Sequence, residues 1–227
     1  MPIFVYIDGE ATDPNFANVS LLLHMDGADG STTFTDNSSI AHTVTPNGNA
    51  QIDTAQFKFG GASGIFDGTG DFLQISDHSS LDLGTGNFTI EGWVRPNATG
   101  IQGIIGKGDP TTTSGWALFF NSGPNLHVFQ NGIYRCTSNS NQSTGTWYHF
   151  AAVRNGTTWT LYIDGVAQTT TGTSSDNLDN AANLRIGGQL TGVGGDFNGW
   201  LDDIRITKGV ARYTSNFTPP TSAFPNS

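Results

Sequence analysis

The stretch Trp147-Tyr-His-Phe-Ala-Ala-Val-Arg-Asn-Gly-Thr-Thr-Trp-Thr-Leu-Tyr-Ile-Asp-Gly165 predicts two β-strands and two tight turns. The dipeptides Asn155-Gly156 and Asp164-Gly165 tolerate the positive φ angles that hairpin turns require. Between these turns, three apolar residues at alternate positions fall on one face of a strand: Trp159, Leu161 and Ile163. The pattern is typical of an antiparallel sheet with one buried face, and it indicates no particular reaction.

The composition of the chain agrees with many short strands joined by turns. Of its 227 residues, 36% are hydrophobic, which is enough for a core, while only 12% are charged and 30 are glycine. An average domain has ~25% charged residues and ~7% glycine. Short apolar stretches are separated by turn signals every ~8–12 residues, which predicts two packed antiparallel sheets. We expect an all-β fold with an N-terminal arm at 1–17, one domain at 18–212 and an extended Pro-rich tail at 213–227.

The charge and the single cysteine argue against several classes of function. The net charge is −10 and the basic residues are scattered, so we expect no binding of nucleic acid. The first residues include no basic segment, and no apolar run approaches ~20 residues, so we expect neither a signal peptide nor membrane insertion. Cys136 is alone in the sequence, which excludes an intrachain disulfide and predicts a buried, unreactive thiol.

Four segments, taken together and in this order, resemble a known family. They are residues 64–75, 88–94, 147–165 and 198–206. The set is similar to the concanavalin A-like jelly roll of the laminin-G-like type, a group that also includes the pentraxins. The resemblance implies a two-sheet antiparallel jelly-roll β-sandwich. Because this fold hosts many roles, the fold alone does not decide the function.

Two further stretches, residues 22–29 and 206–220, resemble the laminin-G-like subset found in bacteriophage virion proteins. This implies a non-enzymatic structural or decoration module on the capsid or tail surface of a virion, made in the host cytoplasm. Such a module would be a homo-oligomer or present in many copies, and it could also contact host-surface glycans. We expect the arm to bind other virion proteins through an exposed apolar strand: Phe4, Val5, Tyr6 and Ile7. The alternative is a carbohydrate-binding adhesin or lectin-type module of a phage fibre or of a secreted, extracellular bacterial protein.

The same architecture also carries glycoside hydrolases, which need two acidic residues ~5–10 Å apart. The related hydrolases place Glu-x-Asp-x-(x)-Glu on one strand, whereas Glu91 is followed here by Gly92, Trp93 and Val94. No predicted strand presents paired acids on one face. We therefore predict that the protein is not an enzyme, and we expect Glu91 at the rim or surface of a strand.

Calcium is the one cofactor that the sequence suggests, because calcium prefers oxygen ligands and Asp is abundant. If the first and last strands of the sandwich pair antiparallel, five carboxylates come near one another: Asp26, Asp29, Asp36, Asp202 and Asp203. A second group matches by position, although incompletely, the loops in which pentraxins hold calcium: Asp109, Gln189 and Asp196. The alternative for both groups is that these side chains cap turns.

Glycan binding would use an aromatic ring that stacks on a sugar, with polar partners for the sugar hydroxyls. The aromatic candidates lie on predicted loops or polar strand faces: Trp116, Tyr134, Trp147 and Tyr162. The candidate polar partners are Asn121, Gln130 and Asn131. We expect Trp93, Trp159 and Trp200 in the core, together with at least one of Trp116 and Trp147.

Overall fold

The computed structural model describes residues 5–7, 10–188 and 190–227. In chain order the strands of these residues are β1 (Val5–Ile7), β2 (Glu10–Thr12), β3 (Val19–Leu23), β4 (Val44–Asn47), β5 (Gln51–Asp53), β6 (Ser63–Asp67), β7 (Phe72–Ile75), β8 (Phe88–Pro96), β9 (Gln102–Lys107), β10 (Trp116–Phe120), β11 (Leu126–Gln130), β12 (Ile133–Thr137), β13 (Tyr148–Asn155), β14 (Thr158–Ile163), β15 (Val166–Ala167), β16 (Gly172–Thr173), β17 (Leu184–Ile186) and β18 (Asn198–Lys208). Short 3₁₀ turns lie at Phe16–Asn18 and Ser79–Leu81. Within the described ranges, no helix has the length and apolar character needed to cross a membrane.

Two antiparallel sheets form a sandwich, which confirms the predicted all-β jelly roll. The front sheet has the strand order β12-β11-β10-β9-β17-β7-β4. The back sheet has the order β15-β14-β13-β8-β18-β6-β5, with β16 paired to β14 and β3 paired to β18. The strands β1 and β2 form a two-stranded sheet of their own.

Tight turns fix the pairing of β13, β14 and β15, as the sequence predicts. Asp164 and Gly165 have φ angles of 48° and 76°, the left-handed values that a two-residue hairpin turn between twisted strands requires. With this register, Trp159, Leu161 and Ile163 of β14 all point into the core. The alternation read from the sequence therefore sets the buried face of this strand.

The strands near the two ends of the sandwich pair antiparallel, which is the condition set above for the first calcium group. Leu23 of β3 lies opposite Ile204 of β18, and Leu21 lies opposite Ile206. All four side chains belong to the core. The pairing brings the loop that follows β3 close to a bulge in β18 at Asp202 and Asp203, where Asp203 has a φ of 51°.

The segment after residue 212 lies on the outer face of the back sheet, without helix or strand. The ring of Tyr213 stacks on Phe217 at 3.5 Å between centroids and packs over Tyr162 of β14. Phe224 packs in a separate small cluster with Leu22 and Phe16. Around these residues the face of the sheet is thereby covered by the chain itself, so the outward side chains there form a second buried layer.

A buried group of ionic side chains lies beneath this cover. Arg205 donates to Glu91 Oε1 at 3.1 and 2.8 Å and to Asp13 Oδ2 at 3.0 Å. Tyr213 donates its hydroxyl to Glu91 Oε2 at 2.7 Å, and Arg212 donates to both oxygens of Asp13. Each buried charge thus has an opposite charge and hydrogen bonds, which such burial requires.

The expectation that Glu91 is a rim or surface residue is wrong, because its side chain is fully buried. Burial alone would raise the pKa of Glu91, but the guanidinium of Arg205 holds this pKa well below its usual range. Glu91 therefore stays ionised and serves as a structural counter-ion. Strand alternation shows which residues share a face, but it does not show that the tail covers the outer face, so this burial could not be predicted.

We expect Glu91→Gln to lower the free energy of unfolding by about 3 kcal/mol, because it leaves Arg205 buried with one charge partner fewer. Urea unfolding at neutral pH measures the difference. Asp29→Asn, which changes an exposed carboxylate, is the control and should change stability by less than ~0.5 kcal/mol. Equal stability of the two variants would contradict a structural role for Glu91.

Candidate functional site

The outer face of the front sheet, here called the front face, carries a cluster of aromatic side chains. This aromatic patch consists of Phe119 on β10, His127 and Phe129 on β11, and Tyr134 on β12. The Tyr134 ring centroid lies 4.7 Å from that of His127, 5.0 Å from Phe129 and 6.2 Å from Phe119. Tyr134 is 53% exposed. The other three side chains therefore support one side of its ring, and solvent contacts the rest.

Strand alternation explains why these rings gather on this face. Their neighbours along β10 and β11, among them Leu118 and Val128, point into the core. The intervening residues must therefore point outward, and the register of β10 with β11 places Phe119 directly opposite His127. The sequence shows alternation in both strands. It does not show that β10 and β11 are neighbours, so it does not predict that their outward rings meet on one face of one sheet.

His127 lies beneath the exposed tyrosine and is only 5% exposed. Its Nδ1 lies 2.9 Å from the hydroxyl of Thr137, while its Nε2 has no hydrogen-bond partner among the described residues. Burial lowers the pKa of His127, so the ring is neutral at neutral pH. The patch is therefore uncharged and suited to contact with an uncharged, partly apolar surface.

A polar cavity of about 200 Å³ opens on the same face, above the adjacent strands β7, β17 and β9. Its described lining residues are Gln74, Gly106, Gly108, Ala182, Asn183, Arg185, Leu190 and Thr191. Leu190 connects this front-face cavity to the aromatic patch, because it packs with Ala117 and Phe119. Position 103, beneath Leu190, requires glycine, because a Cβ atom at Gly103 would lie 2.7 Å from the Cγ atom of Leu190.

Of the four aromatic residues predicted to bind a ligand, Tyr134 alone is exposed at an aromatic patch. The prediction that Trp116 binds a ligand is wrong, because this residue is 1% exposed and lies in the core between the sheets. The same prediction for Tyr162 is also wrong, because Tyr213 and Phe217 cover this residue on the back sheet. Trp147 is half-buried and directly precedes β13 of the back sheet.

The predicted polar partners have structural roles. Gln130 is buried and donates to the carbonyl of Thr113 and to Asp176. Asn131 also donates to Asp176, and Asn121 accepts from backbone amides of its own loop. None of these three residues is among those that line the front-face cavity in the described part of the chain.

The tryptophans expected in the core divide into three cases. Trp159 is in the core, as predicted. Trp93 is buried, but on the outer face of the back sheet, where Phe59 and His149 contact its ring. Trp200 is only half-buried, so its assignment to the core is wrong; its indole donates to Asp53 at 2.7 Å.

The first predicted calcium group is only partly assembled. Asp26, Asp202 and Asp203 lie close enough for their charges to interact. Asp36 instead accepts from four donors of Leu22, Ser38 and His42, and Asp29 accepts from Thr54. These last two are turn caps, which was the alternative interpretation.

The donors that remain in this group do not fit calcium well. Asp202 Oδ2 accepts from the amides of Lys58 and Phe59, and both oxygens of Asp203 are engaged by His24 and the Phe224 amide. Calcium takes six to eight oxygens, and no group of three His, Cys, Asp or Glu side chains arranged for a metal occurs among the described residues. Calcium binding thus stays a prediction from the sequence.

The second predicted calcium group is not tested as a whole, because Gln189 lies outside the described residues. Asp109 is half-buried and accepts from the hydroxyl and amide of Thr111, which lowers its pKa. Asp196 accepts from the amide of Gly70 at 2.9 Å. Both contacts are typical of carboxylates that stabilise loops.

The family model for a laminin-G-type group, described as the concanavalin A-like lectin/glucanases superfamily, matches residues 67–212. The chain belongs to this superfamily. No curated protein matches the sequence.

Solved structures of similar fold include domain 4 of AbnA, a GH43 extracellular arabinanase from Geobacillus stearothermophilus, in complex with arabinotriose. Its TM-score is 0.62 at 19% identity, over 86% of this chain and 94% of that one. The botulinum neurotoxin serotype D binding domain has a TM-score of 0.64 at 18% identity, over 88% of this chain and 51% of that one. A botulinum neurotoxin DC binding domain in complex with SialylT has a TM-score of 0.60 at 16% identity. This member of the superfamily spans about half the length of the toxin binding domains.

Asp202 gives the fold a dependence on pH that can be measured. Burial raises the pKa of Asp202 to about 8, so the folded state binds a proton that the unfolded state releases near pH 4. Stability from this group is complete below pH 4 and is lost as the pH rises through about 8.

We expect the melting temperature of the natural sequence to fall between pH 6 and pH 9, and Asp202→Asn to reduce this fall. The asparagine oxygen still accepts from the two backbone amides but carries no titrating proton. Asp29→Asn is the matched control and should keep the full pH dependence. If Asp202→Asn has the same slope as the control, Asp202 is not protonated in the folded protein.

Proposed function

We propose that this protein is a non-enzymatic carbohydrate-binding module and that the front face binds the carbohydrate. The observation that carries the proposal is the half-exposed Tyr134 ring, which three buried or half-buried rings support from below. A ring held in this way loses little conformational freedom on binding, which favours affinity. Stacking on the apolar C–H face of a sugar is the contact that such a ring is suited to make.

The front-face cavity supplies the second half of the chemistry that sugars require. Gln74 and Asn183 contribute amide groups, and Arg185 and Thr191 contribute further hydrogen-bonding groups. An apolar surface beside a few placed polar groups is the usual composition of a small-molecule site. Leu190 borders both parts, so one ligand could contact the ring and the cavity.

The structural neighbours support this proposal. The arabinanase domain was solved with arabinotriose and the toxin binding domain with SialylT, and both share this fold. The proposal for the present chain still depends on its own front face, because the sequence identities of 19% and 16% show the fold alone.

The positions of the acidic residues support binding without catalysis. Glycoside hydrolysis needs two carboxyl groups ~5–10 Å apart, one of which must donate a proton. Among its described lining residues the cavity has neither Asp nor Glu. Glu91, the glutamate on the long central strand β8, is buried on the opposite sheet and is held ionised by Arg205.

We also propose a second role, assembly as a structural or decoration module of a bacteriophage particle, on the virion surface. One observation favours it: β1 and β2 form a two-stranded sheet apart from both sheets of the sandwich. A strand of this kind is able to add to the sheet edge of another protein. Phe4 and the side chains of Val5, Tyr6 and Ile7 lie outside the described residues, so their contacts with virion partners stay a prediction.

We expect Tyr134→Ala to weaken carbohydrate binding about tenfold, or ~1.4 kcal/mol, because it removes the stacking surface. A glycan array first identifies a ligand for the natural sequence, and calorimetry then measures the affinity of each variant. Phe57→Ala removes another exposed aromatic ring, 48% exposed and outside the aromatic patch, and should leave the affinity unchanged. The proposal fails if no glycan binds, or if the two variants bind alike.

Deletion of residues 1–12 tests assembly through the arm. The deletion stops there because the Asp13 carboxylate belongs to the buried ionic group around Arg205. We expect the melting temperature to change by less than 2 °C and multimers, measured by light scattering, to be lost. A large drop in melting temperature with unchanged particle mass would show that the arm stabilises the domain instead.

A further inference from the structure

We propose that the outer face of the back sheet holds a second binding site, in which Arg95 and Lys58 bind the carboxylate groups of an acidic oligosaccharide. The tail covers this sheet around Glu91, whereas Arg95 and Lys58 lie beyond that cover and are half-buried. The site is on the sheet opposite the front face. The inference therefore goes beyond the proposed function and does not depend on Tyr134.

The contacts of the cationic side chains single out these two residues. Of the nine Lys and Arg side chains, six donate to a carboxylate or to a backbone carbonyl: Lys107, Arg135, Arg154, Arg205, Lys208 and Arg212. Arg95 and Lys58 form no hydrogen bond and no ion pair through their side chains with the described residues. Each is instead stacked on an indole ring, and both lie on the same face of one sheet.

Arg95 is fixed at the end of β8. Its neighbour Val94 is in the core, so Arg95 points outward, and the register places it opposite Trp200 on β18. The guanidinium carbon lies 4.8 Å from the Trp200 ring centroid, and this indole is itself held by a 2.7 Å hydrogen bond to Asp53. Stacking uses the flat face of the guanidinium and leaves its N–H edge for a ligand. The residue beside that edge is Gly145, where even a Cβ atom would lie 3.6 Å from Nη2, so no side chain closes it off.

Lys58 is held two positions further along the same strand. Its ammonium nitrogen lies 3.8 Å from the ring centroid of Trp93, whose Cα atom is ~7 Å from that of Arg95 along β8. The backbone amides of Lys58 and Phe59 donate to Asp202 at 2.7 and 3.1 Å, which fixes the loop above the ring. Burial raises the pKa of Asp202 to about 8, so at pH 7 this carboxyl is mostly protonated and does not neutralise Lys58.

The other carboxylates of this region are engaged or exposed to water. Asp53 accepts from the Trp200 indole and from the amide of Gln56. Asp26 approaches the loop at Gly60, but it is exposed. The net charge of −10 is spread over the whole chain, and charges beyond ~8 Å are largely screened at physiological salt. A short ligand at this face is therefore influenced mainly by the two cations.

A tryptophan beside Arg95 favours a sugar over an acidic peptide as the occupant. Tyr148 lies opposite Val94, so the preceding residue, Trp147, comes next to Arg95. His149 contacts the outward ring of Trp93, and alternation places Trp147 on the same face. Trp147 is half-buried, so part of its ring is open to solvent. Such a ring offers a stacking surface for the C–H face of a sugar.

The charged groups of this site require an anion with oxygen acceptors. Guanidinium and ammonium groups donate hydrogen bonds and accept none. The two parallel N–H groups of a guanidinium match the two oxygens of a carboxylate, and such charged hydrogen bonds are about twice as strong as neutral ones. A neutral sugar would leave both cations without a counter-ion. The ligand class is thus an oligosaccharide that carries carboxylates on neighbouring sugars.

The experiment compares ligands that differ in charge on one skeleton. The full ¹⁵N-labelled chain is titrated with trigalacturonate, with its neutral methyl ester and with a peptide of four aspartates. The indole N–H signal of Trp200, assigned from Trp200→Phe, reports binding at this face. We expect trigalacturonate to shift this signal and to bind at least tenfold more tightly than the other two. The preference should shrink between about 0.15 M and 1 M salt, where the screening length falls from ~8 to ~3 Å.

Three variants assign the preference to the two cations. Arg95→Gln should weaken binding of trigalacturonate about tenfold and remove the preference over the ester. Lys58→Gln should weaken it less, about threefold, because an ammonium lacks the planar fork. Lys208→Gln is the matched control, since it removes the same charge from a side chain that donates to the Ser79 carbonyl at 2.7 Å. It should leave the affinity unchanged.

The outcomes separate this inference from binding at the front face. Equal binding of the acid and its ester, or equal effects of Arg95→Gln and Lys208→Gln, would overturn it. Tighter binding of the aspartate peptide, or shifts at Tyr134 while Trp200 stays unmoved, would also overturn it. None of these results contradicts the front-face site, which the Tyr134→Ala comparison tests. A melting curve establishes that Arg95→Gln is folded; if it is not, Arg95→Lys replaces it and should lose part of the preference.

Discussion

The buried ion pair between Arg205 and Glu91 is the interaction on which the rest of the back sheet depends. Both side chains point away from the core, and a charge in that position is stable only when a partner and a cover are supplied. The partner on one side is Asp13, and the cover on the other is Tyr213. The segments before β3 and after β18 are therefore drawn onto this face, and the amide of Asp13 donates to the carbonyl of Ser227 at 2.6 Å.

Closure of the back face around Glu91 leaves the front face open, so that the fold is able to present a site there. The same alternation of side chains operates in both sheets, but the front face is covered only in part, where Leu190 and Val193 pack with Ala117 and Phe119. Tyr134 at 53% exposure and the cavity beside Arg185 lie on this open side. The two faces thus have different roles: one anchors the ends of the sandwich, and the other offers rigid, solvent-accessible groups.

Several errors made from the sequence concern the outer face of the back sheet. Glu91, Tyr162 and Trp93 lie on outward strand positions, and outward positions are normally polar or exposed, yet all three are buried here by the tail and neighbouring loops. Trp200 shows the opposite error, because a large aromatic residue on an outward position stays half-exposed. For Glu91 and Tyr162 the spacing was interpreted correctly, but the segment that covers their face comes from a distant part of the chain.

The sequence by itself determined the all-β class, the hairpin turns at Gly156 and Asp164-Gly165, and the inward face of β14. These features depend on local φ angles and on a two-residue period, and both can be read from neighbouring residues. Only the tertiary structure decided which outer face is closed and that Phe119, His127 and Phe129 gather beneath Tyr134. Only the fold, likewise, placed Arg185 beside Gly106. Those arrangements depend on strand order and on register between segments far apart in the chain, which no local pattern encodes.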